Sequence, residues 1–453
     1  MHGRSANKII SSVLVLAVFG LSGCASAPAK VNEENLIKLY SRQRQQPKKY
    51  PVIFIPGIMG TVLKDSRTGQ TIWGLASRRF VDVLALPIDT VTLIVDRDRL
   101  VASAPLGKMT VIPGVLEKEI YDKLKRVATK AGGYEPGKTS FALSYDWRRD
   151  LVEAVKDLDN LIQEIKRKSG DPNIKVNLVC HSAGGLIARY YAKYGSKDVL
   201  GQNPLPQPDY SGAKNINKII MLGVPNSGAV EAFQRVHLGL VLPVIGFLSP
   251  EILFTMPSIY ESFPFERKDV FIDKNGRSLD VDLYDPANWE KYGWSIFDKR
   301  KLSKVRRSFI LRHGRPQGLI LFDEQLTKQR RFLEAVLQRA KKFHAALCLG
   351  DPEAEKRYVN YLLLGSDCHP TLEHALLKLT DTGWKTSFGS LDSSINNSLF
   401  GLGDASVTKD SLLGVVGDYQ LPASAEVFVC ESHNDLATST TYLDNALNML
   451  LRD

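Results

Sequence analysis

The stretch Val176–Arg189 reads Val-Asn-Leu-Val-Cys-His-Ser-Ala-Gly-Gly-Leu-Ile-Ala-Arg, an apolar strand that turns at once into a helix. A serine at such a turn sits in a strained backbone that holds its hydroxyl clear of the sheet, where it can attack a carbonyl. Small residues are required two before and two after it, because strand and helix nearly touch there. Gly184 meets that demand, and Cys180, still small, stands where a glycine is usual. The competing reading is a buried strand followed by a helix that Ser182 merely caps.

Three further features stand in a telling order. The apolar run 51–55 ends in Pro56-Gly57-Ile58-Met59-Gly60, a glycine-bearing loop whose amides can face an oxyanion. The amide of Ala183, next to the serine, is the expected second donor. Downstream, Gly401-Leu-Gly-Asp404-Ala-Ser-Val407 places an acid in a glycine-rich loop, and strand-like 426–430 leads into Glu431-Ser-His433. Serine, then aspartate, then histidine is the chain order of α/β-hydrolases.

The chemistry requires these types. A serine hydroxyl is a weak nucleophile until a histidine takes its proton. The histidine needs a carboxylate to fix its tautomer and stabilise the imidazolium. Among 8 histidines, His433 lies in a loop between a late strand and a C-terminal helix. His181 points elsewhere as the serine's immediate neighbour. The acid has two candidates: Asp404, and Asp367 at the end of Tyr361-Leu-Leu-Leu-Gly-Ser-Asp367. Asp435 reads as a helix-end charge and Asp146, beside Arg148 and Arg149, as a structural partner.

With these elements, Ser144-Tyr-Asp-Trp-Arg148, Leu222-Gly-Val-Pro-Asn-Ser-Gly228 and the segments Met256–Tyr260 and Asn288–Trp294, the sequence resembles the lecithin–cholesterol acyltransferase family over residues 51 to 436. The resemblance implies a phospholipase or transacylase moving a fatty acyl group through a serine ester. It implies Ser182 as nucleophile, Asp404 as acid, His433 as base, and the amides of Met59 and Ala183 as oxyanion donors. No cofactor or metal is expected. The substrate class is a phospholipid or other lipid ester. A different class of function is also open: a catalytically silent lipoprotein that binds lipid or a partner on a hydrolase fold.

The amino terminus sets the expected address. His2, Arg4 and Lys8 precede an apolar run from Ile9 to Leu21, too short to span a membrane comfortably, that ends in Leu21-Ser-Gly-Cys24. That ending resembles the lipobox of bacterial lipoproteins, which implies cleavage before Cys24, lipidation of its thiol, and anchoring at the cell envelope, with Ala25 matching an outer-membrane pattern. Loss of Arg4 and Lys8 lowers the net charge from +10 to +8. The basic tail of the tether, Arg42 to Lys49, either meets anionic headgroups or serves as a spacer. The other basic residues read as dispersed, and nothing suggests nucleic-acid recognition. Cys180 and Cys430 read as small buried hydrophobes, and Cys348 and Cys368 as a possible disulfide.

Strand-like runs at 52–55, 140–145, 176–180, 218–222, 358–364 and 426–430 alternate with amphipathic helices, clearest at 151–168. This predicts an α/β fold, the α/β-hydrolase type, with a mostly parallel sheet and an inserted cap or lid. The expected organisation is a signal peptide at 1–23, a lipidated tether at 24–49, a core at 50–230 and 347–453, and the cap at 231–346. A second insertion, 61–113, is expected to hold short β-like pieces around Trp73 and at 91–95.

Overall fold

A computed structural model describes residues 32–48, 50–74, 82–88, 98–112, 116–242 and 246–452. The expected signal peptide, Cys24 and the pieces at 91–95 lie outside these residues.

Every expected core strand enters one sheet: β1 (Val52–Ile55), β2 (Ser140–Ala142), β3 (Val176–His181), β4 (Ile216–Leu222), β5 (Tyr361–Gly365) and β6 (Ala423–Phe428). Their order is β6-β5-β4-β3-β1-β2, and each neighbouring pair is parallel. Alternate residues feed opposite faces, as strand geometry requires. Ile53, Ile55, Leu178, Cys180, Ile219 and Met221 pack into one core, while Val52, Phe54, Val179, Ile220 and Leu222 pack into another. Helices α1 (Asp122–Lys130), α2 (Leu151–Ser169), α3 (Gly184–Tyr194), α4 (Val230–Leu238), α5 (Lys299–His313), α6 (Arg315–Cys348) and α7 (Thr440–Leu451) complete the frame. The first core takes α2, α3 and the second half of α6, and the second core takes α1 and α7.

Helix α2 follows its sequence pattern closely. Asp150 accepts the Val152 amide as a cap, Gly170 ends the helix at φ 69°, and Leu151, Val155, Leu158, Ile162 and Ile165 are buried. Strand β2 is shorter than its apolar run, and side chains just after it serve the loops above the sheet. There Tyr145 donates to the Pro56 carbonyl at 2.9 Å and Trp147 to that of Thr61 at 3.1 Å. Arg148 clasps Asp146 through Nε at 2.9 Å, so Asp146 holds a strand end as expected.

Between β4 and β5 the chain inserts α4, a hairpin of Leu240–Leu242 against Gly246–Leu248, short helices, then α5 and α6. Phe233, Phe271, Trp289 and Trp294 form its aromatic centre. The expected boundary at 346 is not a packing boundary. Phe271 pairs with Ala375 in a small four-stranded sheet, and the Trp294 indole donates to Thr386 at 2.8 Å. Residues 375–387 thus pack with the insertion, drawn there by its aromatic centre. The earlier insertion forms a three-stranded antiparallel sheet of Thr71–Trp73, Thr61–Asp65 and Leu100–Pro105.

The cysteine readings need correction. Cys368 is bonded to Cys430, not to Cys348, which is free. Strands β5 and β6 are neighbours, so the segments leaving them bring the two α-carbons to 5.4 Å. Cys430 is exposed, having run past the end of β6 instead of staying inside it.

Candidate active site

The turn after β3 has the strained form its sequence suggested. Ser182 adopts φ 53°, a left-handed conformation that is uncommon for residues other than glycine. Its amide donates to the Leu222 carbonyl at 2.9 Å, and its carbonyl accepts the Gly185 amide at 3.0 Å. A Cβ on Gly184 would stand 2.5 Å from the Ile55 carbonyl oxygen, so only glycine lets α3 start this close to β1. Cys180 is fully buried on β3, and burial pushes its thiol up, leaving it a neutral packing group.

His433 comes from the loop after β6, and its Nε2 lies 3.1 Å from Ser182 Oγ. Its Nδ1 lies 2.8 Å from Asp404 Oδ2. The other Asp404 oxygen accepts the Ser406 and Val407 amides at 3.0 and 2.7 Å. The His433 amide donates to the Asp404 carbonyl at 2.7 Å, tying the two loops by backbone as well. Of the two acid candidates, Asp404 reaches His433. Asp367 instead meets Lys409 at 3.1 Å. Asp435 accepts from Ser432 Oγ at 2.6 Å, within its own turn.

Burial pulls the His433 imidazole down, but the Asp404 carboxylate outweighs it and leaves the group above its ordinary 6.5. Burial likewise raises Asp404, and His433 with the two amides outweighs that, leaving the carboxyl below 3.8. The pair therefore favours an imidazolium held against a carboxylate.

Met59 lines the same cavity as Ser182, and Ala183 follows the serine in the chain. Met59 has φ 65°, and its carbonyl accepts the Trp73 indole N–H at 2.8 Å. The Met59 and Ala183 amides have no acceptor among the described residues. Ser182, His433 and Met59 share a cavity of about 410 Å³, otherwise lined largely by apolar side chains such as Leu106, Leu240, Leu253 and Ile259. Glu231 and Arg235, paired at 2.7 Å on α4, add charge to one wall.

Some residues that hold this site carried no readable signal. Tyr121 accepts the Gly57 amide at 3.2 Å and meets His181 Nδ1 at 2.9 Å, while His181 Nε2 meets the His433 carbonyl at 3.1 Å. This buried chain links the loop of Met59 to the loop of His433. Burial first, and then the nearby His433, lower His181 to about 3, so it stays neutral. Gly223, at φ 55°, is as tightly placed: a Cβ there would lie 2.7 Å from Asp404 Oδ2 and 3.0 Å from His433 Nδ1. The motif Leu222-Gly-Val-Pro was visible in sequence, but this use of its glycine depends on loops that arrive 180 residues later or more.

Residues 110–266 match the family model described as Lecithin:cholesterol acyltransferase. These residues, about a third of the chain, are similar to that family. Among solved structures, a chain of the Tle4–Tli4 complex aligns with TM-score 0.50 at 15% identity, covering 89% of this chain and 98% of that one. Bacillus licheniformis lipase BlEst2 in mature form aligns with TM-score 0.36 at 13% identity, covering 90% and 94%. EstA from Clostridium botulinum gives TM-score 0.34 at 11% identity, covering 91% and 90%. No curated protein matches in sequence. The six-stranded parallel sheet flanked by helices is the α/β-hydrolase type of fold. Among the described residues no helix is long and apolar enough to cross a membrane.

Proposed function

We propose that this protein is a serine lipase, phospholipase A or O-acyltransferase that works through an acyl-enzyme on Ser182. The observation carrying the reading is the 3.1 Å approach of Ser182 Oγ to His433 Nε2 inside an apolar cavity. Oγ attacks the acyl carbonyl while Nε2 takes its proton, and Asp404 stabilises the imidazolium. The oxyanion accepts from the amides of Met59 and Ala183, each donor worth about 3 kcal/mol of barrier. Collapse breaks the ester C–O bond, and His433 returns the proton to the departing alcohol. Water, or the hydroxyl of a lysolipid or alcohol, then enters by the same path and releases the acyl group. Hydrolysis and transfer use the same residues and differ in what reaches the acyl-enzyme.

The paired strands Leu240–Leu242 and Gly246–Leu248 have the composition of a lid. Their Leu240 and Leu242 line the cavity, while Val241 is 74% exposed. An apolar strand bared to water beside an apolar cavity suits a lipid interface. Lipidation of Cys24 and residence at the bacterial cell envelope belong to the same reading. Mass spectrometry of the amino-terminal peptide tests them, and an unmodified Cys24 would overturn the anchor.

Incubation of wild type and Ser182→Ala with a fluorescent phosphonate, followed by peptide mapping, tests the mechanism. The expected result is labelling of Ser182 and loss of ester turnover in the variant. A Ser182→Ala protein that retains full turnover would sink the proposal and favour a lipid-binding role.

A further inference from the structure

The chain's positive charge is not dispersed. Residues 299–331 hold eleven Lys and Arg against two Asp and Glu, a net +9, when the whole chain carries +10. These residues form an antiparallel helical hairpin from α5 and the first half of α6, turned at Gly314. A Cβ on Gly318 would stand 2.6 Å from both the Ile310 Cα and the Phe309 carbonyl oxygen, so the two helices meet backbone to backbone. No residue of α5 is buried, and on α6 burial is dense only from Phe332 onward. The hairpin therefore projects as an arm whose α6 portion, 315–331, is about 25 Å long.

Two of its cations are anchored at the root. Arg330 pairs with Glu290 at 2.8 Å, and Lys301 stands 3.8 Å from Glu251. Glu251 lies two residues from Leu253, a lining residue of the catalytic cavity. The other nine cations have no ion-pair partner among the described residues. Apolar side chains are set among them at the tip: Leu311 is 80% exposed and Ile320 52%.

We infer that this arm docks on an anionic lipid bilayer. Unpaired Lys and Arg attract acidic headgroups, and exposed Leu and Ile at the same end enter the interfacial zone. A nucleic acid would match the charge but leaves the tip leucine and isoleucine without a partner. The surface is separate from the cavity, so docking delivers the protein to lipid without a part in bond making.

The test uses the full chain with Cys24→Ser, so that an acyl anchor contributes nothing. Binding is measured by co-sedimentation with vesicles of phosphatidylcholine alone and of phosphatidylcholine with phosphatidylglycerol. A second protein adds Arg306→Gln, Arg307→Gln, Arg312→Gln and Arg315→Gln, all exposed positions. Expected are binding that depends on phosphatidylglycerol and falls with salt, a loss of roughly 100-fold or more in the fourfold variant, and unchanged turnover of a water-soluble p-nitrophenyl ester. A further Leu311→Ser variant should weaken vesicle binding at high salt, where charge is screened. Equal binding of the parent and fourfold variant to the acidic vesicles would overturn the inference. So would tighter binding to duplex DNA than to those vesicles. Ester turnover by the parent reports on the catalytic proposal independently of either outcome.

Discussion

Protonation of His433 governs the acid side of the proposed reaction. The base must be neutral in the free enzyme, and Asp404 holds its pKa above 6.5. Turnover of a soluble ester, as kcat/KM, should therefore fall about tenfold per pH unit on an acid limb whose midpoint lies above 6.5. Asp404→Asn removes the charge that raises the group, so the limb should move to lower pH while kcat drops by roughly 10⁴. Asp367→Asn, by contrast, should leave kcat within about twofold, since surface pairs such as Asp367–Lys409 contribute little. Equal losses in the two variants would contradict the acid assignment. Tyr121→Phe strips the Gly57 amide and His181 of their shared hydroxyl, and an orphaned buried group costs about 1–3 kcal/mol. Its expected signature is a fall in kcat of about tenfold with little change in KM, because both reacting loops lose alignment.

At the scale of elements, the segment leaving β5 and the loop that carries His433 are stapled outside the sheet. The Cys368–Cys430 bond closes a sequence separation of 62 residues across neighbouring strands. Removing it with Cys368→Ser plus Cys430→Ser should lower stability by about 2–4 kcal/mol, read from denaturant midpoints. His433 lies three residues beyond Cys430, so ester turnover should suffer more than the loss of folded protein explains. Much of the element pattern was legible beforehand. All six strands announced themselves as short apolar runs, and α2 was readable from its spacing, cap and terminal glycine. Ser182 and His433 were readable for a related reason: each occupies a loop whose neighbours have strong local patterns. The residues alone left Asp404 and Asp367 both open, because only the packing of loops separates them, and it was the resemblance that favoured Asp404. The disulfide was missed on the same ground, since which strands become neighbours is a property of topology.

For the whole molecule, the buried His181 and His344 and the half-buried His237 shape the expected response to acid. Burial lowers His181 and His344 to about 3 and His237 to about 4. Their folded pKa values lie below the unfolded 6.5, so the unfolded chain binds protons that the folded chain refuses. Stability should be complete above about pH 6.5 and fall as pH drops from there toward 4, by up to about 1.4 kcal/mol per pH unit for each histidine. His433 acts with the opposite sign: its folded value is raised, so its contribution is full below about 6.5 and is lost as pH rises through the folded value. Calorimetry from pH 8 to 5 should show the melting temperature falling on the acid side, and a flat profile would contradict the neutral burial of these rings. The net charge of the arm, spread over 33 residues in sequence, reads as dispersed there because its cations are interrupted by apolar positions.

The order of the site along the chain has a consequence for its biogenesis. Ser182 precedes His433 by 251 residues, and β5, Asp404 and β6 all lie between them. During synthesis from the amino terminus, Ser182 is made long before the histidine proposed to deprotonate it. Under the proposed mechanism a half-made chain thus carries an inert hydroxyl, and acyl chemistry would await the docking of the last strand beside β5.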